Sequence, residues 1–93
     1  ELIITDHHTP SDTLPDAYAI VDPKLSSCEY PFKEICGAQV AWLLLALVKK
    51  ELDFKIDMKQ FLDILAIAII ADIMPLIDIN RTLVKEGLKV LMN

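Results

Sequence analysis

The stretch Leu2-Ile3-Ile4-Thr5-Asp6-His7-His8-Thr9-Pro10 is the most informative part of the chain. Its apolar, β-branched first half predicts a buried strand, and its second half places an acid and two imidazoles at the carboxyl end of that strand. In open α/β sheets, ligands bind in the crevice outside the carboxyl ends of the strands. Imidazole nitrogen and carboxylate oxygen together suit Zn, Mn, Fe or Ni better than Ca. The pattern indicates either a metal site or a polar turn in which Asp6 caps backbone amides.

The composition is that of an apolar, folded protein. Apolar residues make up 54% of the chain and only 2 residues are glycine. The net charge of −5 argues against a general basic surface for nucleic acid, although bound metal ions can supply positive charge locally. Cys28 and Cys36 form no CxxC pair, which favours reduced intracellular thiols over a disulfide. The chain starts at Glu1 without a signal peptide and ends without a helix-stop signal, so we expect a part of a longer protein.

Hydrophobic periodicity predicts one more strand and three helices. Residues 17–21 form the second strand, and its short spacing from the first places the two side by side in one sheet. Helices are predicted over residues 37–52, from residue 61 to about residue 73, and after a polar break at residues 78–81. Residues 57–60 resemble a capping box. Tyr30 and Phe32 lie in the connecting loop, where they either anchor the loop or form a stacking platform for bases.

Two aspartates interrupt the second of these helices and, with Pro75, exclude a membrane-spanning segment. Asp63 lies near the start of the helix, where the helix dipole favours an acid, so we expect it to be structural. Asp72 lies near the end of the helix in apolar surroundings, where burial and the dipole both disfavour its charge. An ionised buried acid needs a partner. The candidates are a bound cation and Arg81, the only arginine in the chain.

The ordered motifs resemble the DHH phosphoesterase superfamily. The motif Ile4-Thr5-Asp6-His7-His8-x-Pro10, followed by Ile20-Val21-Asp22-Pro23-Lys24, is similar to its third motif. Within the superfamily the nearest likeness is to the RecJ-type single-stranded-DNA-specific exonucleases. Ala71-Asp72-Ile73-Met74-Pro75-Leu76 and Asn80-Arg81-x-Leu83-Val84 resemble their fourth motif and the helix after it. Asp78-Ile79 departs from the glycine-glutamate pair that this family carries, which leaves the role of these two residues open.

This resemblance implies an α/β fold. It makes the chain the second half of a DHH domain, in which short parallel strands near the N-terminus are followed by three helices. Residues 1–93 are then a partial DHH catalytic domain with the third and fourth motifs. The first motif, a D-x-D, the second motif, a single aspartate, and the companion domains of the family are expected outside these residues.

The resemblance also implies a function. It indicates a metal-dependent exonuclease that hydrolyses single-stranded DNA with two divalent cations, Mn²⁺ or Mg²⁺, in DNA repair and recombination. Its partners would be single-stranded DNA and a single-strand-binding protein, its location the cytoplasm, and the 93 residues alone would be inactive. Two alternatives remain open. One is another DHH phosphoesterase acting on oligonucleotides, cyclic dinucleotides or pyrophosphate, and the other is a catalytically silent scaffold module.

The site residues implied by the resemblance have separate roles. His7 and Asp72 are the metal ligands, with an expected separation of roughly 4–8 Å around a two-metal site. His8 is expected to diverge from His7 and to face the substrate phosphate or the leaving group. Asp6 is expected to orient an imidazole. Asn80 and Arg81 are expected to contact a substrate phosphate, for which the arginine guanidinium is suited.

Overall fold

The computed structural model describes residues 1–93, which form two strands and three α-helices. In chain order these are β1 (Ile3–Thr5), β2 (Ala19–Val21), α1 (Gly37–Leu52), α2 (Leu62–Ala71) and α3 (Asp78–Leu91). A short 3₁₀ helix, Met58–Phe61, leads into α2. The order confirms the predicted α/β arrangement of short parallel strands followed by three helices. None of the helices combines the length and apolar character that a membrane crossing requires.

The two strands are parallel neighbours in a two-stranded sheet. Ile3 pairs with Ala19 and Thr5 with Val21, and the N–H of Asp6 continues the pairing by donating to the Val21 carbonyl at 3.0 Å. The carboxyl ends of β1 and β2 therefore lie at the same edge, where Asp6 begins the polar motif. The prediction of a buried β1 is wrong for this chain, since Ile3 is 58% exposed. The reason is that β1 pairs with a neighbour on one side only.

Helix α1 has the bounds that the sequence predicted. The N–H of Cys36, the residue before the helix, donates to Oε1 of Gln39 at 2.7 Å, which satisfies one backbone group at the helix start. Lys49 and Lys50 lie in the last turn, where the helix dipole favours positive charge. The indole Nε1 of Trp42 donates to the Met58 carbonyl at 3.0 Å and holds the segment before α2 against α1.

The core lies where α2 packs against α3 and the start of α1. Its buried apolar residues are Cys36, Leu62, Leu65, Ile69, Leu83 and Val84. Gly87 allows the close approach of α3 to α2, because a Cβ there would collide with the Leu62 carbonyl and lie 2.6 Å from the Ala66 Cβ. This contact accounts for a glycine inside a helix, where it costs about 1 kcal/mol relative to alanine.

Helix α2 ends in a tight backbone turn that places Asp72. The N–H of Ile73 donates to the Ile70 carbonyl and that of Met74 to the Ile69 carbonyl, both at 3.1 Å. This is the Schellman arrangement, which usually has glycine at the left-handed position. Here Ile73 occupies that position with φ 53°, and the residue is 88% exposed. The helix therefore ends at Ala71, two residues before the predicted end.

Helix α3 begins earlier than expected. The sequence placed a polar break at residues 78–81, whereas Asp78 is the first helical residue. Polar residues are common in a first helical turn because an acid there interacts favourably with the helix dipole. Asp78 also accepts the N–H of Ile79 at 2.9 Å. The polar segment is thus the start of the helix, and it directly follows the turn after Asp72.

We expect Gly87→Ala to lower the free energy of unfolding by about 2 kcal/mol. The added methyl group overpacks the contact with α2, which outweighs the roughly 1 kcal/mol that alanine gains in helix propensity. Urea denaturation measures the change. Lys85→Ala, an exposed position on the same helix, is the control and should change stability by less than about 0.5 kcal/mol. A Gly87→Ala protein as stable as the wild type would contradict the close contact.

The left-handed backbone at Ile73 predicts a substitution that stabilises the protein. Ile73→Gly should raise the free energy of unfolding by about 1 kcal/mol, because a β-branched residue is strained there and glycine is not. Little burial is lost, since the side chain is mostly exposed. Ile73→Val keeps the β-branch and should leave stability nearly unchanged. Equal stabilities of the glycine and valine variants would refute the strain.

Candidate metal centre

Asp6, His7 and His8 directly follow β1 at the carboxyl edge of the sheet. One oxygen of Asp6, Oδ1, organises this turn. It accepts the backbone N–H of His7 at 2.7 Å and that of His8 at 3.3 Å, and it lies 2.7 Å from Nδ1 of the His8 ring. The polar turn offered by the sequence as an alternative is therefore present. Within it, Asp6 is hydrogen-bonded to the ring of His8 and not to that of His7.

These contacts keep the Asp6 carboxyl ionised. The backbone N–H of His7, and next the hydrogen bond from the His8 ring, hold the pKa of Asp6 below its ordinary value of 3.8. Because the pKa is lowered in the fold, the stabilisation is present above about pH 4 and is lost as the pH falls through the lowered pKa. At neutral pH Asp6 accepts only, so the proton of a neutral His8 ring resides on Nδ1 and Nε2 is left as an acceptor.

The second contact of the site joins the strand end to the end of α2. Nε2 of His7 lies 2.9 Å from Oδ2 of Asp72. The separation is shorter than the expected 4–8 Å, and the two groups are in direct contact. The alternative in which Asp72 pairs with Arg81 is wrong, since Arg81 takes part in no ion pair. The expectation of apolar surroundings is also wrong, because the Asp72 side chain is 45% exposed beyond the end of the helix.

The donor atoms fit a divalent cation. Two ligand atoms that each lie about 2.1 Å from one octahedral ion are roughly 3 Å apart, which is close to the His7–Asp72 separation. One ligand atom from each of Asp6, His7 and His8 also lies within 4.8 Å of the others. Because Oδ1 of Asp6 already accepts three hydrogen bonds, the pair of His7 Nε2 and Asp72 Oδ2 is the better ligand set. Imidazole and carboxylate donors suit Mn²⁺.

The other ring nitrogen of His7 has no hydrogen-bond partner although it is buried. This Nδ1 atom lies 3.9 Å from Oδ1 of Asp6, and a Cβ at Gly37 would lie 3.3 Å from it. The His7 ring therefore rests against the first residue of α1. A metal-ligating histidine generally donates its second N–H to a carboxylate or carbonyl, and the neighbouring Asp6 is a group of that type. In this structure Asp6 is hydrogen-bonded to His8 instead, so Nδ1 of His7 stays without a partner and the fit to a cation rests on Nε2 of His7 and on Asp72.

His8 does not diverge from His7 as expected. The two ring centroids are 4.2 Å apart with the planes tilted by 33°, because the hydrogen bond to Asp6 turns the His8 ring back over the motif. The His8 side chain is 74% exposed. It is therefore exposed but in contact with the ring of its neighbour, and its predicted contact with the substrate phosphate or the leaving group stays a prediction.

The structure separates the two residues expected to contact phosphate. Asn80 is fully buried, and its amide donates to the carbonyls of Glu34 and Pro75 and accepts from Gln39. A phosphate cannot reach it in this fold, so its side chain has a packing role and the expectation of phosphate contact is corrected. Arg81, the next residue, is exposed at the surface of α3. Its proposed contact with phosphate stays a prediction.

Two residues of the site were missed from the sequence. Gly37 was interpreted only as the start of a helix, and Gln39 was not singled out. The available signal was a lone amide within the apolar run from Ala38 to Val48. Gln39 is 1% exposed and joins the helix start to Asn80.

The chain belongs to the DHH family. Residues 1–69 match the model of the DHH family, N-terminal domain. This stretch includes the Asp6–His8 motif, α1 and most of α2.

Among the curated relatives are three that carry the name single-stranded-DNA-specific exonuclease RecJ. The Bacillus subtilis protein is 46% identical over 96% of this chain and 11% of its own length. The Thermus thermophilus protein is 43% identical over 95% of this chain and 13% of its own length. The Salmonella typhimurium protein is 39% identical over 94% of this chain and 17% of its own length. The chain thus spans between about a tenth and a sixth of these relatives.

A solved structure gives the same result for the fold. The crystal structure of exonuclease RecJ bound to manganese matches with a TM-score of 0.79 and 42% sequence identity. The match covers 96% of this chain and 22% of that chain. The arrangement of strands and helices in this chain is therefore the RecJ arrangement of this part of the DHH domain.

The site generates a binding prediction. Asp72→Asn should weaken Mn²⁺ binding at least about tenfold, because an amide lacks the negative charge of a ligating carboxylate. It should leave the melting temperature within a few degrees, since the side chain is half-exposed. Electron paramagnetic resonance of free Mn²⁺ measures the binding.

Asp63→Asn is the matched control for this measurement. Asp63 lies on the same helix and caps the N–H of Ile64 at 2.8 Å, so the variant should retain wild-type affinity. Equal Mn²⁺ affinity of the Asp72→Asn protein and the control would remove Asp72 from the ligand set.

Proposed function

We propose that the chain forms part of the catalytic domain of a RecJ-type exonuclease, which hydrolyses phosphodiester bonds of single-stranded DNA. The observation that carries this proposal is the 2.9 Å approach of His7 to Asp72. It supports a divalent-cation site in a DHH-family chain whose relatives are named single-stranded-DNA-specific exonucleases. Residues 1–93 then contribute the third and fourth motifs. The first two motifs supply the remaining ligands from elsewhere in the polypeptide.

The charge of the chain explains why this chemistry requires a cation. The net charge is −5, and Asp6 and Asp72 add negative charge at the site itself. A DNA phosphate is repelled by such a surface. When bound, two divalent ions, Mn²⁺ or Mg²⁺, supply the charge that lowers the pKa of an attacking water and stabilises the entering and leaving oxygens.

Particular residues of the chain carry out the remaining roles. His7 and Asp72 hold a cation between the end of β1 and the end of α2. Asp6 fixes the His8 ring through Nδ1, so Nε2 is the nitrogen that meets the substrate. In its protonated form His8 donates from Nε2 to a phosphate oxygen or to the leaving-group oxygen. Arg81, exposed on α3, supplies a guanidinium for a second phosphate contact.

The proposal extends to the setting in which the protein acts. An exonuclease of this kind works in DNA repair and recombination, in the cytoplasm, on DNA that a single-strand-binding protein covers. These assignments rest on the family resemblance alone. No side chain of the metal centre bears on them.

A nuclease assay on the full-length polypeptide that contains this chain tests the proposal. With Mn²⁺ and end-labelled DNA, we expect nucleotides to be released from single strands and not from blunt duplexes. His7→Ala should reduce the rate at least about 100-fold, since removing a ligand removes the charge that stabilises the transition state. Asp63→Asn, on the surface of α2, should cleave at the wild-type rate.

Other outcomes identify the alternatives. Faster cleavage of short oligonucleotides, cyclic dinucleotides or pyrophosphate than of long single strands would assign the protein to another DHH phosphoesterase class. Absence of hydrolysis of all these substrates would favour a scaffold module. The isolated 93 residues should release no nucleotides above a His7→Ala control, because half of the ligand set lies outside them.

A further inference from the structure

Two amide side chains lie in the core next to the metal centre. Gln39 is 1% exposed and Asn80 is fully buried. Burying an amide without partners costs roughly 1–3 kcal/mol in proteins, so such groups persist where hydrogen bonds satisfy them. The partners of these two amides lie on the segments that border His7 and Asp72.

The hydrogen bonds form a continuous chain. The N–H of Cys36 donates to Oε1 of Gln39 at 2.7 Å, and Nε2 of Gln39 donates to Oδ1 of Asn80 at 2.6 Å. Nδ2 of Asn80 then donates to the Glu34 carbonyl at 2.7 Å and to the Pro75 carbonyl at 3.0 Å. Each amide oxygen accepts and each amide nitrogen donates, so every bond in the chain has a consistent polarity.

One end of this network lies behind His7. Glu34 and Cys36 immediately precede α1, and the first residue of the helix is Gly37. A Cβ at Gly37 would lie 3.3 Å from Nδ1 of His7, so the ring rests against the helix start. A movement of this helix start towards the strand would push the imidazole, and a movement away would open a gap behind it.

The other end of the network lies behind Asp72. Pro75 is three residues beyond Asp72, in the turn that leads from α2 into α3. No other hydrogen bond of the structure joins residues 34–37 to residues 72–80. Hydrogen bonds are directional, whereas apolar contacts are not. Metal ligands must be held within about 0.5 Å of their productive positions.

We propose that Gln39 and Asn80 are positioning residues of the metal centre. Together they form a buried amide latch, which sets the distance between the segment behind His7 and the segment behind Asp72. The inference rests on the proposed function in that the site it positions is the cation site described above. The amides do not touch the cation or the substrate. They act through Gly37 on His7 and through the turn at Pro75 on Asp72.

Two variants test the latch in the full-length polypeptide that contains this chain. Asn80→Ala removes both bonds to backbone carbonyls, and Gln39→Met removes the link between Asn80 and Cys36 while keeping a side chain of similar length. Leu83→Ala is the control, because it destabilises the same helix by opening a cavity in the core and leaves all four hydrogen bonds in place. All proteins are measured at a temperature where each is folded by circular dichroism.

The first measurement needs no metal. Comparison with a His7→Ala protein identifies the His7 ring nitrogens in the spectrum of a ¹⁵N-histidine-labelled sample. Nε2 of His7 should show the same chemical shift in the wild type and in Leu83→Ala, and a shift towards that of a free ring in Asn80→Ala, where its 2.9 Å contact with Asp72 is lost. An unchanged His7 spectrum in both Asn80→Ala and Gln39→Met would overturn the proposal.

The second measurement is Mn²⁺ affinity, followed by electron paramagnetic resonance. Asn80→Ala should weaken binding about tenfold or more, as is usual when a group that supports a ligand is removed. Gln39→Met should weaken it less, and Leu83→Ala should not weaken it. If Asn80→Ala does not fold, Gln39→Met against Leu83→Ala decides the question in the same way. Equal affinity in the latch variants and the control would show that the amides only stabilise the fold.

The two measurements separate this inference from the proposed function. A wild-type full-length protein that binds no Mn²⁺ but loses the His7 signature in Asn80→Ala would refute the cation site and support the latch. A chain that binds Mn²⁺ through His7 and Asp72 with unchanged affinity in both latch variants would support the site and refute the latch.

Discussion

The contact between Nε2 of His7 and Oδ2 of Asp72 is the constraint that the packing of this chain has to satisfy. It brings together the carboxyl end of β1 and the C-terminal end of α2. Neither element fixes the other directly, because no backbone hydrogen bond joins β1 to α2. The separation of the two side chains is therefore set by the elements between them, chiefly by α1 and α3. The fold of the chain can be understood as the means of holding this one pair.

Helices α2 and α3 provide the rigid side of that arrangement. Gly87 brings the two helices into close contact, and Ile69 and Leu65 fill the core beside it. The Schellman turn at the end of α2 then aims Asp72 out of the core, at the cost of a left-handed isoleucine. Strain of this kind costs of order 1–3 kcal/mol and persists where the surrounding structure fixes it. Here it fixes the direction in which a charged side chain leaves a helix made almost entirely of apolar residues.

The sequence predicted most of the fold, and the family resemblance implied that His7 and Asp72 converge. Periodicity placed α1 at its observed bounds, and the change from apolar to polar residues after Thr5 located the site at the strand end. The sequence prediction was wrong where a polar residue can bond to more than one kind of partner. Asp78 opens a helix instead of breaking the chain, and Asn80 bonds to backbone carbonyls instead of phosphate. Local patterns show that a residue is polar, but which partner satisfies it depends on segments far away in the chain.

For Asp72, the sequence predicted the wrong environment for the side chain. Burial and the helix dipole left a cation and Arg81 as the candidate partners of Asp72, and only the family resemblance implied a metal ligand. In the structure the carboxylate is half-exposed, so burial is not the reason for its charge requirement. What remains is the end of the helix and an imidazole nitrogen 2.9 Å from the carboxylate. These surroundings favour a positive charge between strand and helix, and their half-open position gives a charged ligand access to it. A site that binds a cation and then a phosphate needs both properties, and a fully buried acid would have offered only the first.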